Sequence, residues 1–178
     1  MENISIIKLV PPQIVEGKTL YAHSDGYFMN QAGTRLAHSY TPNRKSQVSH
    51  HKKAYPKMRH HGNRDCHFLM VCAFIRIPDV AHGEVIDHIN GDVRNYALTN
   101  LRIIDRSINY RDGGFLRKLR NQHIDPTWYA VPFLLRFFDR MAAFKASHTR
   151  HQYTKLTHDD LLRLLVEPEF TVGEPCNE

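Results

Sequence analysis

The stretch IDHINGD, Ile86–Asp92, places the carboxylate of Asp87 beside the imidazole of His88, directly before a tight-turn Asn-Gly pair. Two further asparagines follow at Asn100 and Asn109. Carboxylate and amide oxygens are ligands that hard divalent cations accept. A histidine has the unperturbed pKa that suits removal of a proton from water near neutral pH, and a second amide can fix its orientation. These residue types match the needs of a metal-assisted hydrolytic site.

This pattern resembles the HNH endonuclease family, and most closely its HNN variants in phage and intron-encoded homing endonucleases. The resemblance implies that Asp87 and Asn109 bind one divalent ion, Mg²⁺ or Mn²⁺. It implies that His88 is the general base and that Asn100 orients His88. The implied substrate is double-stranded DNA, and the implied fold is α+β. Its parts are a ββα-metal (His-Me finger) core, a small N-terminal β module and C-terminal helices.

A weaker resemblance extends upstream of the motif. Tyr55–Met58 and Cys66–Ile75 are similar to the family's lead-in, and Ser24–Tyr27 is similar to a strand of an associated N-terminal module. Three departures bear on DNA contacts rather than on the four site positions. Phe68 stands where an arginine is usual, Tyr96 stands where a second asparagine is common, and Ala54 precedes Tyr55 where a glycine is usual.

Positive charge is concentrated in the first half of the chain. The formal charge is +6, and residues 35–65 hold eight basic side chains against one acid. A basic surface of this kind is the electrostatic footprint of a polyanion-binding protein. A solvated, lysine-rich loop is the alternative, and the adjacent motif favours DNA. The predicted DNA-contacting residues are Arg35, Arg44, Lys45, Lys52, Lys53, Lys57, Arg59 and Arg64.

Composition narrows the classes of protein that remain. The three cysteines, Cys66, Cys72 and Cys176, form no C-x-x-C pair, which argues against a disulfide framework and a zinc ribbon. We expect reduced, mostly buried thiols. No apolar run reaches the length that crosses a bilayer, and the first residues do not have the pattern of a signal peptide. These features predict a cytoplasmic protein of a bacterial or phage-infected cell, without a membrane partner.

The chain divides by pattern into three predicted segments. Residues 1–65 form a β-rich basic module for DNA contact, residues 66–114 form the HNH core, and residues 115–178 form a helical segment. In the first, 19–28 predicts a strand broken at Asp25-Gly26, with 35–40 pairing with it, and 54–59 predicts another strand before a Gly62-Asn63 turn.

The predicted elements of the core centre on the motif. Residues 67–75 predict a short, mostly buried helix, because apolar side chains fill most of its positions. Residues 84–88 and 101–104 predict two strands. A helix from Arg106, capped by Asp105, is predicted to end before Gly113-Gly114.

After the core, 115–122 is basic and is predicted to extend toward DNA. Two helices are predicted at 128–144, with Pro132 in a first turn, and from a Thr157 cap to about Val166. They are predicted to pack together. Two roles stay open for the first of them: it closes the single core, or it forms a unit for homodimerisation or for docking another protein.

Two functions from different classes lead, and the remainder covers an RNA nuclease or an unrelated globular domain in which Asp-His and Asn-Gly only build a turn. The first is a divalent-metal-dependent DNA endonuclease with a single-metal site. The alternative is a DNA-binding or phage packaging-accessory protein that keeps the HNH fold with weak or no catalysis. Asp87, His88 and Asn109 are all present, which favours catalysis.

Overall fold

The computed structural model describes residues 5–40 and 55–167. The chain divides into two compact units, Met1–Asn109 and Tyr110–Glu178. The described residues form nine strands in three antiparallel sheets and five α-helices, which confirms the predicted α+β class. The three segments predicted from the sequence, 1–65, 66–114 and 115–178, stay a prediction.

The first sheet contains β1 (Ile7–Leu9), β2 (Tyr21–His23), β3 (Tyr27–Met29) and β4 (Arg35–Leu36), in that order. The predicted break at Asp25-Gly26 is confirmed as the turn between β2 and β3. The sheet buries Ala22 and Phe28 on its inner face, as alternation along a half-buried strand requires. β1 is its edge, and the side chains of β1 are exposed.

The second sheet contains β5 (Ser39–Tyr40), β6 (Pro56–Met58) and β7 (Arg64–Asp65). The predicted strand at 54–59 is confirmed by β6, and the predicted turn follows it. Gly62 and Asn63 have φ of 74° and 50°, the left-handed region that these residue types tolerate. The prediction that 35–40 pairs with the first hairpin holds only for β4, because β5 pairs with β6 instead. Residues 41–53 lack apolar periodicity, which predicts a loop or a strand edge that DNA orders, and they lie outside the described residues.

The helix α1 (Cys66–Phe74) lies at the centre of the first unit, and the predicted buried helix is confirmed. It contacts β2, β6 and β9 (Leu101–Asp105), strands from all three sheets. A helix covered on several sides must be apolar nearly all round, as this one is. Burial raises the pKa of the Cys66 thiol to about 12 and that of Cys72 to about 11. Both thiols are free and buried, as expected, and Cys176 lies outside the described residues.

The third sheet is the hairpin of β8 (Glu84–His88) and β9, followed directly by α2 (Arg106–Asn121). The strand-strand-helix order matches the elements predicted for the motif. The predicted Asp105 cap is supported by a bond from the Ser107 amide to its carboxylate oxygen at 2.6 Å.

The predicted end of this helix before Gly113-Gly114 is wrong, because α2 continues to Asn121. Each glycine costs a helix roughly 1 kcal/mol relative to alanine. Phe115, Leu116 and Leu119 are buried just beyond them, and each such side chain contributes roughly 1.5–3 kcal/mol. Burial of this apolar face exceeds the cost of the glycine pair.

The second unit also contains α3 (Val131–Ser147), α4 (Arg150–Thr154) and α5 (His158–Val166). α3 packs on α5, which confirms that the two predicted helices associate. The short α4 was not predicted. Among the described residues, no helix has both the length and the apolar character needed to span a bilayer.

Local signals set the starts of α3 and α5 as predicted. A proline stands in the first turn of α3, where its missing N–H costs nothing. At α5, the Asp160 amide donates to Thr157 Oγ1 at 3.2 Å, while the Thr157 amide donates to Asp160 Oδ2 at 2.8 Å. This reciprocal pair is a capping box, and it fixes where the helix begins.

Candidate functional site

Asp87 forms an ion pair with Arg102 across the β8–β9 hairpin. The two residues are directly opposite each other in the strand register. Arg102 Nε lies 2.9 Å and Arg102 Nη2 lies 2.8 Å from Asp87 Oδ2. Their side chains are 13% and 21% exposed, so the pair is largely shielded from water. The predicted metal ligand therefore has a cationic partner within the protein.

His88 is buried beside two aromatic side chains that were not predicted as site residues. The imidazole is 6% exposed. Its ring centroid lies 5.1 Å from that of His67, in an edge-on arrangement, and 6.1 Å from that of Tyr55. The ring centroids of Tyr55 and His67 are themselves 5.0 Å apart. Both belong to the lead-in sequence, so the upstream resemblance was the signal that could have found them.

The electrostatics of these neighbours link them to the motif. Burial lowers the pKa of His67, and Lys57 lowers it further, although Asp65 acts in the opposite direction. The pKa of Tyr55 is raised by burial and then by the charges of Asp65 and Asp87. The Tyr55 ring thus lies close to that of His88, and the charge of Asp87 acts on the Tyr55 hydroxyl.

The β8 strand leaves its regular pleat immediately after His88. The Gly91 amide donates to the His88 carbonyl at 2.6 Å, and the Ile89 amide donates to the Asn100 carbonyl at 2.9 Å. In a regular strand, adjacent side chains point to opposite faces. The turn at Asn90-Gly91 therefore begins directly after the Asp87-His88 pair, where the regular alternation of side chains ends.

Asn100 holds the loop that follows His88. It is 1% exposed, and its Oδ1 accepts from the Asn90 amide at 3.1 Å. Its Nδ2 donates to the Asn95 carbonyl at 2.8 Å. We expected this amide to orient the His88 ring directly, whereas these two bonds go to the loop backbone. These bonds fix the backbone of the loop that follows His88, and the role of Asn100 toward the imidazole stays a prediction.

Asn109 lies in the first turns of α2 and is half-buried. The described hydrogen bonds of this region do not include its side chain, so the structure supplies no contact that joins it to Asp87. Among the described residues, no group of three or more His, Cys, Asp or Glu side chains is placed to hold a metal ion. A cation here would depend on few protein ligands.

The motif loop is also held by the N-terminal hairpin. The Leu98 amide donates to the Ser24 carbonyl at 2.8 Å. A Cβ added to Gly26 would lie 2.8 Å from the Ala97 nitrogen, so only glycine permits this approach. Tyr96 is 5% exposed and stacks 6.0 Å from Phe28. The tyrosine that replaces the usual asparagine is thus part of the core.

The described members of the basic stretch differ in their partners. Lys57 forms an ion pair with Asp65 at 2.8 Å, which removes part of its charge from any ligand. The Arg35 guanidinium lies 4.6 Å from the ring centroid of Tyr27. Arg59 and Arg64 are exposed. The predicted contacts Arg44, Lys45, Lys52 and Lys53 lie outside the described residues.

Likeness to known proteins adds nothing to this geometry. The chain matches no protein-family model, no curated protein and no solved structure. Its function must therefore be inferred from the residues and contacts described above.

Proposed function

We propose that this chain is a divalent-metal-dependent DNA endonuclease that hydrolyses phosphodiester bonds at an HNH-type site. The observation that carries the proposal is the local arrangement at the end of β8. Asp87 and His88 end the strand, the buried Asn100 holds the intervening loop, and α2 follows the second strand at once and bears Asn109. In this proposal the hairpin and α2 form a ββα-metal core, flanked by a small N-terminal β module and C-terminal helices.

His88 is the general base of the proposed reaction. An imidazole takes a proton from the attacking water most effectively when its ring is held still. His67 and Tyr55 flank the ring, and the bonds of Asn100 fix the backbone that follows it. His67, whose pKa is lowered by burial, stays neutral near pH 7 and so adds no positive charge beside the base.

Asp87 and Asn109 are the proposed ligands of one Mg²⁺ or Mn²⁺. When bound, the ion would polarise the scissile phosphate and stabilise the leaving 3′-oxygen. One carboxylate and one amide oxygen, completed by water and substrate phosphate, are a donor set that Mg²⁺ accepts. The Arg102 guanidinium on Asp87 Oδ2 competes with such an ion. DNA phosphate can relieve this competition, because it supplies a second anion for either cation.

The first test is cleavage of supercoiled plasmid with Mg²⁺ and with EDTA. Mg²⁺ should support cleavage, and EDTA should stop it. His88→Ala should lower the rate on the order of 10²–10⁴-fold, the usual cost of losing a general base. His123→Ala, at an exposed histidine outside the site, is the matched control and should cleave normally. Cleavage by His88→Ala at the wild-type rate would exclude His88 as the base.

The second test concerns the metal ligands. Titration of Mn²⁺ by electron paramagnetic resonance, with DNA present, should show one bound ion. Asp87→Ala should remove this binding, whereas Asp92→Ala, in the following loop, should not. If both variants still bind Mn²⁺, the ion is bound by other residues.

The alternative function is DNA binding with weak or no catalysis, in the manner of a packaging accessory protein. The Asp87–Arg102 ion pair favours it, because the carboxylate already has a cationic partner. This alternative expects duplex DNA to bind with the same affinity in Mg²⁺ and EDTA, and plasmid to remain uncut in both. Metal-dependent cleavage that is lost in His88→Ala would exclude it.

A further inference from the structure

A cavity lies in the second compact unit, between the end of α3 and α4. It encloses about 480 Å³ and is lined by Lys145, His148, Arg150, Tyr153 and Thr154. This volume lies in the range of sites that hold small molecules or parts of larger ligands. All five residues belong to the second unit, so the cavity is described independently of the motif.

Cationic side chains converge on this cavity. The ammonium groups of Lys118 and Lys145 lie 4.9 and 5.9 Å from the ring centroid of Tyr153. Lys118 also donates to the Thr154 carbonyl at 3.5 Å, which connects α2 to α4. The charge of Arg117 acts on Tyr153, lowering a pKa that burial raises. The ring thus gathers basic side chains from two helices of this unit.

These cations have no acidic partner within the described part of the unit. The ion pairs of the described residues there include Arg111 with Asp112 and Arg163 with Glu167, and neither of these involves the cavity. Like charges held close together repel one another, and a bound anion would relieve that repulsion. Burial also lowers the pKa of Lys118, which shows that its charge is partly desolvated.

His148 adds a constrained imidazole to the wall. Its ring stacks on Phe144 with centroids 3.9 Å apart and an angle of 13° between the planes. Its Nδ1 lies 2.8 Å from Ser147 Oγ and 3.1 Å from the Phe144 carbonyl oxygen. These contacts occupy Nδ1 and hold the ring in place, so Nε2 is the nitrogen that a ligand can reach.

The geometry points to a binding site for phosphate groups of a nucleic-acid backbone, formed by Lys118, Lys145 and Arg150 around Tyr153. Lysine and arginine are the side chains that bind phosphates as point charges and as planar forks. A nucleic acid fits better than a small phosphate ester, because α2 carries two more exposed basic side chains near Lys118 in sequence, Arg117 and Arg120, that further phosphates can reach. Binding at this site does not depend on cleavage at His88.

The test is DNA affinity of the full-length chain in EDTA, measured by fluorescence anisotropy with a short labelled duplex. The variant is Lys145→Gln with Arg150→Gln. Its matched control, Arg136→Gln with Arg163→Gln, removes the same charge from exposed positions that do not line the cavity. Each lost phosphate contact should flatten the slope of log K against log salt by about 0.9. For two lost contacts, the affinity at about 50 mM salt divided by the affinity at about 200 mM salt should be about twelvefold smaller in the variant than in the wild type.

Three outcomes would decide the matter. A flatter slope in the cavity variant alone supports the site, and equal slopes in cavity and control variants overturn it. The charge-preserving exchange Lys145→Arg with Arg150→Lys should keep the wild-type slope. This result, together with an unchanged thermal melt of the cavity variant, would show that lost charge rather than misfolding flattens the slope.

The second experiment follows the phosphorus resonance of inorganic phosphate. If wild-type chain broadens it, the cavity variant does not, and the DNA slope is unchanged, the site binds free phosphate and the nucleic-acid inference fails.

Discussion

Asp87 and Arg102 stand opposite each other in the β8–β9 hairpin, and two guanidinium nitrogens lie 2.9 and 2.8 Å from the same carboxylate oxygen. The pair holds the carboxylate in place, and it also puts a positive charge where the proposed metal ion must approach. Stability and metal binding therefore depend on Arg102 in opposite ways.

Arg102→Gln should separate these two effects. We expect the free energy of unfolding in urea to fall by about 1.5–3 kcal/mol, the usual contribution of hydrogen bonds to charged groups. Mn²⁺ affinity should rise, because a competing cation is gone. Arg106→Gln, at an exposed arginine just beyond β9, is the control and should change neither quantity. Weaker Mn²⁺ binding in Arg102→Gln would instead mean that the guanidinium positions the carboxylate for the ion.

Asn100→Ala should loosen the motif loop. The substitution leaves the Asn90 amide and the Asn95 carbonyl without their side-chain partner, and an unsatisfied buried group costs about 1–3 kcal/mol. We expect a loss of about 2–4 kcal/mol in unfolding free energy and faster hydrogen exchange at the Asn90 amide. Asn95→Ala, which removes one longer, exposed bond to the Ala97 amide, should cost much less. Equal losses in the two variants would refute the loop-holding role of Asn100.

Gly26→Ala and Gly33→Ala form a matched pair. Both glycines have positive φ, of 89° and 77°, which costs an L residue roughly 1–2 kcal/mol. Only at Gly26 would the new Cβ also meet backbone, 2.8 Å from the Ala97 nitrogen, while nothing lies within 4 Å at Gly33. We expect Gly26→Ala to lower the melting temperature more and to slow plasmid cleavage, since the motif loop must shift. Equal melting temperatures of the two variants would show that the Ala97 backbone does not lie close to Gly26 in solution.

The stability of the first unit should fall as the solution is acidified below the ordinary histidine range. Burial lowers the pKa of His67 from 6.5, so the unfolded chain binds a proton that the folded chain resists. This contribution is complete above pH 6.5 and declines as the pH falls below it. His38 and His61 have pKa values lowered in the same direction.

Urea unfolding at about pH 7.5 and 5.5 measures this dependence. His67→Gln should reduce the difference in unfolding free energy between the two pH values. It should not abolish that difference, because two other histidines contribute. His123→Gln, at an exposed position, should leave the difference as it is in the wild type. An undiminished difference in His67→Gln would assign the effect to other groups.

The elements around the motif could be predicted because local signals agree with one another. The predicted bounds of β8 are those observed, since its apolar positions end at the Asn-Gly turn. The end of α2 could not be predicted from Gly113-Gly114, because the burial of Phe115 and Leu119 is a tertiary effect that local propensity does not contain. The switch of β5 to a second sheet likewise depends on its pairing with distant β6.

The candidate site was predictable only in part, for a similar reason. Asp87 and His88 are adjacent in the chain, but a regular strand directs neighbouring side chains to opposite faces, so a shared site depends on the turn that follows His88. Tyr55 immediately precedes β6 and His67 lies in α1, and their approach to His88 depends on how α1 packs. The partner of Asp87 depends on the hairpin register, which places Arg102 rather than a neighbouring residue opposite it.

The contact of Tyr96 with Phe28 determines when a growing chain can fold. The N-terminal strands leave the ribosome first, yet Phe28 lacks its stacking partner until synthesis has passed Tyr96. The core that they share includes Leu69 and Val71 of α1 as well, so the early strands have little to bury by themselves. A nascent chain should therefore expose these strands, and rely on chaperones, until the whole motif has been made. We therefore expect the first unit to fold together with its candidate site.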